Sequence, residues 1–99
     1  MNTKDHFSCL IGAYYGVMEM DEYNLKEYVL FDLEKYIERF VEEHPNPSFS
    51  YREQSEEVFN HTSLKTKLQD ALLILPKLDV SLEFIFLIKA RIRKIMEEA

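Results

Sequence analysis

Tryptophan is absent from the 99 residues, and only two glycines, three prolines and one cysteine occur. Each shortage excludes something. An all-β chain carries turn signals roughly every ten residues, and glycine and proline are too scarce here to supply them. A lone cysteine, Cys9, cannot close an internal disulfide, which suits a reducing compartment. The uncharged run from Phe7 to Met20 is broken by Glu19 and falls short of the roughly 18 residues of a membrane span. Lys4 is followed at once by Asp5, and no small-residue cleavage site follows the run. A cytoplasmic protein without a membrane partner is expected. Enzyme signatures are missing too: no glycine-rich phosphate loop, no Gly-x-Ser-x-Gly elbow, no Cys-x-x-Cys. Cys9 opens an apolar run, and a buried structural thiol is expected there rather than a nucleophile. Neither catalysis nor a cofactor is expected.

Hydrophobic residues make up 46% of the chain, enough to close one core in a single domain of this length. The net charge of −6 is unevenly spread. Residues 1–57 hold five Lys/Arg against thirteen Asp/Glu, a net of −8, whereas residues 58–99 hold seven against five, a net of +2. Either the halves pack together and partly neutralise each other, or the first half attracts a cationic partner.

Apolar spacing of about 3.6 residues recurs in four segments. Residues 5–20 carry Phe7, Leu10, Ile11, Tyr14 and Met18 on one arc, with the small residues Cys9, Gly12, Ala13 and Gly16 opposite. Such a helix is either central or partly covered by something else, and its small residues would let a neighbouring backbone come close. The cost of Gly12 and Gly16 inside a helix leaves a strand or a broken helix as the alternative. Met20 to Tyr23 reads as a turn, with Asn24 as cap of a helix over residues 25–43. Its apolar face is Leu25, Val29, Leu33, Tyr36, Ile37, Phe40 and Val41, and His44-Pro45-Asn46-Pro47 stops it. Ser50-Tyr51-Arg52-Glu53 matches a capping box and predicts a short helix to residue 60. Ser63 caps a fourth helix with Leu64, Leu68, Ala71, Leu72 and Leu75 inward, ended by Pro76. Asp79 or Ser81 starts the last one, with Leu82, Ile85, Ile88, Ile92, Ile95 and Met96 as core and its first half covered on most sides. The alternation Val80, Leu82, Phe84, Phe86, Ile88 also permits a strand, and the helical spacing continued through Met96 favours a helix. The sum is an all-α bundle of four or five helices in one domain.

Metal ligation would need converging histidines and carboxylates. Glu57 and His61 are four apart, but the paired Glu-x-x-His of di-iron bundles is missing. Glu53-x-x-Glu56 matches half of a magnesium motif of helical pyrophosphohydrolases, and no Glu-x-x-Asp follows it. No metal site is expected. Lys89, Arg91, Arg93 and Lys94 point in several directions around one helix, and the acidic half opposes phosphate, so no nucleic-acid partner is expected.

The residues most suggestive of function lie on the second helix. Glu27, Glu34, Glu38 and Glu42 project opposite its apolar face, with Phe31 among them, Tyr28 beside them, and Lys35 and Arg39 at the edge. Carboxylates around an exposed aromatic suit a basic protein partner: the ring anchors, and the charges steer. The competing account is a solvated face whose Phe31 another helix covers. Tyr14, Tyr15, Asp21 and Glu22 extend the same acidic, aromatic character.

Leu10-Ile11-Gly12-Ala13-Tyr14-Tyr15, with the acidic cluster behind it, resembles the opening of some immunity proteins of bacterial contact-dependent growth inhibition, which often begin Leu-x-Gly-Ala-Tyr-aromatic. The family's His-Gln-Asp-Trp continuation is replaced by Gly16-Val17-Met18-Glu19, and no binding residues carry over. The small, acidic, helical, tyrosine-rich profile is similar to that of colicin-type nuclease immunity proteins. The resemblance implies a stoichiometric inhibitor that covers a toxin, plausibly a nuclease, in the producing cell. The alternative is a homo-oligomeric structural or regulatory helical protein, self-associating through its apolar first helix.

Overall fold

The computed structural model describes residues 3–21, 23–45 and 51–98. They form five α-helices: α1 (Thr3–Met18), α2 (Tyr23–Glu43), α3 (Tyr51–His61), α4 (Leu64–Ile74) and α5 (Leu82–Glu98), with a 3-10 turn, Leu75–Lys77, between the last two. No strand occurs among the described residues, so the chain is all-α.

The uncharged helix α1 is central. It packs most extensively on α4 and also touches α2 and α3, while α5 lies on α2, α4 and the 3-10 turn. Leu10 and Val17 have no exposed surface, and Phe7, Cys9, Ile11 and Ala13 are buried. The small face does what small faces permit. A Cβ placed on Gly16 would stand 2.9 Å from the carbonyl carbon and oxygen of Lys67, and one on Gly12 would run into the Asp70 carboxylate. The apolar stripe of α1, Leu10 and Val17 above all, is thus used inside the chain, while Tyr14, Tyr15 and Met18 keep exposed surface.

Polar groups fix the connections. Ser63 caps α4, its hydroxyl accepting from the Thr66 amide at 3.2 Å, and Ser81 caps α5 by accepting from the Phe84 amide at 3.4 Å. Pro76 sits inside the 3-10 turn, where its missing N–H leaves no bond unmade. The Lys26 ammonium donates to the carbonyls of Met18 at 3.0 Å and Met20 at 2.6 Å, placing a cation on the negative end of α1. The Asp32 carboxylate accepts from the Asp79 amide at 2.7 Å, tying α2 to the segment before α5.

Several sequence expectations are corrected. Helix α2 starts at Tyr23, so Asn24 lies within its first turn rather than capping it. Ser50 of the capping box lies outside the described residues. Met18 is exposed and Val17 takes its place in the core. On α4 the buried row is Lys67, Leu68, Ala71 and Ile74, with Leu75 following, while Leu64 is exposed. A lysine is drawn inward because its long stem is apolar and its head finds partners. Leu82 and Phe86, 83% and 70% exposed, leave the first half of α5 largely open, contrary to the covering expected of it.

Gly16→Ala tests the close approach of α1 to α4. Helix propensity alone favours alanine by about 1 kcal/mol, whereas driving a methyl into the Lys67 backbone costs about 1–3 kcal/mol. The clash wins because a backbone cannot swing aside, so urea unfolding is expected to give a net loss of stability. A net gain would mean that the helices lie further apart.

Candidate functional site

Helix α2 exposes one long polar face between two neighbours. At 100° per residue, Glu27, Phe31, Glu34, Glu38 and Glu42 share one arc, and the span from Glu27 to Glu42 is about 22 Å along the axis. All four glutamates are exposed. Phe31 is 61% and Tyr28 59% exposed, so the account in which another helix covers Phe31 does not hold. The Lys35 ammonium instead lies 4.4 Å from the Phe31 ring centroid, a cation–π contact made at the surface.

Each border of this face carries aromatics. Toward α5, Tyr28 stacks on Phe84 with centroids 5.0 Å apart. Toward α1, a groove of about 250 Å³ is lined by Ile11, Tyr14, Tyr15, Glu34, Ile37 and Glu38. The fold therefore brings Tyr14 and Tyr15 to the same place as Glu34 and Glu38, some twenty residues away in sequence. The Tyr14 hydroxyl donates to the Glu34 carboxylate at 2.7 Å. That bond, then burial and the nearby carboxylate charge, push the Tyr14 hydroxyl up to about 12. Tyr15 meets Tyr14 edge-on at 5.8 Å and Phe59 of α3 at 5.0 Å. Asp21 is exposed beyond the end of α1 and does not line the groove, and Glu22 lies outside the described residues. Arg39 lies over the Tyr36 ring, 5.9 Å from its centroid.

Two buried polar groups escaped the sequence reading. Lys67 is 5% exposed and reaches Glu19 at 3.3 Å, with the Phe59 ring 5.3 Å and the Tyr15 ring 6.0 Å from its ammonium. It joins α1, α3 and α4 around one charge. The spacing of Lys67 with Leu68, Ala71 and Ile74 carried the signal, but a lysine is read outward by default. Asp70 is half-buried and accepts a hydrogen bond from the Cys9 thiol. Burial, followed by the Asp70 charge and that hydrogen bond, raises Cys9 from an ordinary 9.0 to about 11. Burial likewise raises Asp70, opposed by the Cys9 bond.

Among the described residues no group of three or more histidines, cysteines, aspartates and glutamates converges on a common point. No described helix is long and apolar enough to cross a membrane. Glu53, Glu56, Glu57 and His61 are exposed, and Arg52 pairs with Glu56 at 3.4 Å. Comparison with protein-family models, curated proteins and solved structures gives no match to this chain.

The Cys9–Asp70 pair predicts a quiet thiol. The folded state holds the thiol proton more tightly than the unfolded chain, so this contribution to stability is complete below pH 9.0 and disappears as pH rises through about 11. Alkylation of native protein by iodoacetamide should be slow at neutral pH and accelerate only toward that range. Asp70→Asn removes the neighbouring charge and should shift the rate profile to lower pH, still above the ordinary thiol range because burial persists. Fast labelling of native wild type at neutral pH would contradict this account.

Proposed function

We propose that the chain is a non-catalytic binding protein of the immunity type, which neutralises a basic protein, plausibly a nuclease toxin, through the exposed acidic face of α2. One observation carries the reading: Phe31 is 61% exposed in the middle of Glu27, Glu34, Glu38 and Glu42, beside a groove walled by Tyr14 and Tyr15. A solvent-exposed phenylalanine gains stability for the monomer only if something covers it. Here carboxylates surround it, which selects a cationic partner surface. Such an interface divides its labour. Carboxylates speed encounter and reject acidic surfaces, while desolvation of Phe31 and Tyr28 slows escape.

The groove gives the contact a finer form. A lysine or arginine side chain of the partner would lay its stem along the groove beside Tyr14 and Tyr15 and bring its charge to Glu34 and Glu38. Lys35 over Phe31 already demonstrates that the ring accepts a cation at the surface. The reading makes the chain a cytoplasmic inhibitor whose activity is occupancy rather than chemistry. The short resemblance of residues 10–15 to growth-inhibition immunity proteins points the same way.

The reading expects a toxin gene next to the one encoding this chain, and that gene would supply the test. Its product, expressed alone, should arrest growth, and co-expression of this chain should restore it. The triple variant Glu27→Gln, Glu38→Gln, Glu42→Gln leaves the Tyr14–Glu34 bond intact and keeps helix propensity close to native. It should bind the toxin through slower association, with the deficit shrinking as salt rises. Phe31→Ala should instead hasten dissociation, by about tenfold or more if the ring is an anchor. Full protection and unchanged kinetics in both variants would reject this face as the site.

A further inference from the structure

A basic cluster lies on a different side of the C-terminal part of α2. A cavity of about 510 Å³ is lined by Thr3 and His6 of α1, by Tyr36, Arg39, Phe40 and Glu43 of α2, by His44 just beyond it, and by Lys77 of the 3-10 turn. In a chain of net charge −6, two imidazoles, a guanidinium and an ammonium from three separate elements converge here, with Glu43 the carboxylate of the lining. The imidazoles are held by packing. The Phe40 ring lies between them, with centroids 4.8 Å from His6 and 4.6 Å from His44. Phe40 is itself 9% exposed and sits against Phe7 of the core at 6.3 Å, so the pair stands on a rigid floor.

We infer that this cavity is a binding site for a small organic phosphate, separate from the acidic face of α2. Arg39 offers the planar fork that matches phosphate oxygens, Lys77 a point charge, His6 and His44 imidazole N–H donors, and Thr3 and Tyr36 hydroxyls. The volume lies within the range of small-molecule sites, roughly 300–1,000 Å³. Converging cations repel one another when the cavity is empty. His6 registers this: burial, then the charges of Lys77 and His44, lower its pKa. A bound dianion removes the repulsive part, so binding must raise the His6 pKa, and by linkage protonated His6 must tighten binding. Glu43 opposes the anion, and the cations of Arg39 and Lys77 outweigh it.

Inorganic pyrophosphate is the probe, and the imidazole C–H resonances of His6 and His44 are the readout, on the whole chain at constant ionic strength. Pyrophosphate should move both resonances to saturation, raise the titration midpoint of His6, and bind more tightly near about pH 6 than near about pH 8. The double variant Arg39→Gln, Lys77→Gln alters two exposed side chains, and far-ultraviolet circular dichroism would verify its helices. It should weaken binding by about tenfold or more, whereas Lys65→Gln on the exposed surface of α4 should not. A linear, non-saturating drift that equimolar chloride reproduces would overturn the site. So would equal affinity in the double variant, or affinity indifferent to pH. None of these outcomes bears on the α2 acidic face, whose variants are assayed against a protein.

Discussion

The close approach of α1 to α4 is the constraint on which the remaining architecture depends. Gly16 lets the α4 backbone at Lys67 and Leu68 come within a distance that any side chain would prevent. With α4 this near, Leu68, Ala71 and Ile74 meet Leu10, Ala13 and Val17 in one core. Alanine in place of glycine would favour the helix and lose the packing, so two glycines in a helix interior are here a sign of contact rather than of turning.

The same approach decides the fate of two charges. Lys67 falls on the inner side of α4 and is buried. It settles against Tyr15 and Phe59 and ends on Glu19, at the surface. Asp70, one turn further on, meets Gly12 and Cys9 and takes the thiol proton as a hydrogen-bond partner. Lys67 is buried and Asp70 half-buried by geometry rather than by their own preference, and each is paired, as polar groups drawn out of water must be.

Helix α2 carries two chemistries on one rod. Along its exposed side four carboxylates surround a phenylalanine, and near its C-terminal end Arg39 and, just beyond, His44 line a cavity with His6 and Lys77. The two surfaces differ in sign because different neighbours border them. Alongside the middle lie Tyr14 of α1 and Phe84 of α5. At the end lie the first turn of α1 and the basic residue of the 3-10 turn. On the two proposals made above, a cationic protein and a small anion would meet different sides of this one helix.

Much of this was legible in the chain itself. Periodicity and caps gave the all-α bundle, because apolar spacing and capping side chains act within a few residues of one another. Ser63 and Ser81 do locally what their neighbours in sequence suggest. The outward glutamates and Phe31 of α2 could be read for the same reason: one helix fixes its own faces. The misjudged positions share the opposite cause. Leu64, Met18 and Leu82 are apolar at helical spacing, yet a stripe is buried only where a neighbouring helix lies over it, and these sit past the edge of the contact. Lys67 and Asp70 are charged, and only the passage of α1 beside them puts them inside. The groove that joins Tyr14 and Tyr15 to Glu34 and Glu38, and the basic cavity of His6, Arg39, His44 and Lys77, unite residues from different helices. No local pattern encodes such a meeting, because it is set by how rods pack rather than by how each one winds.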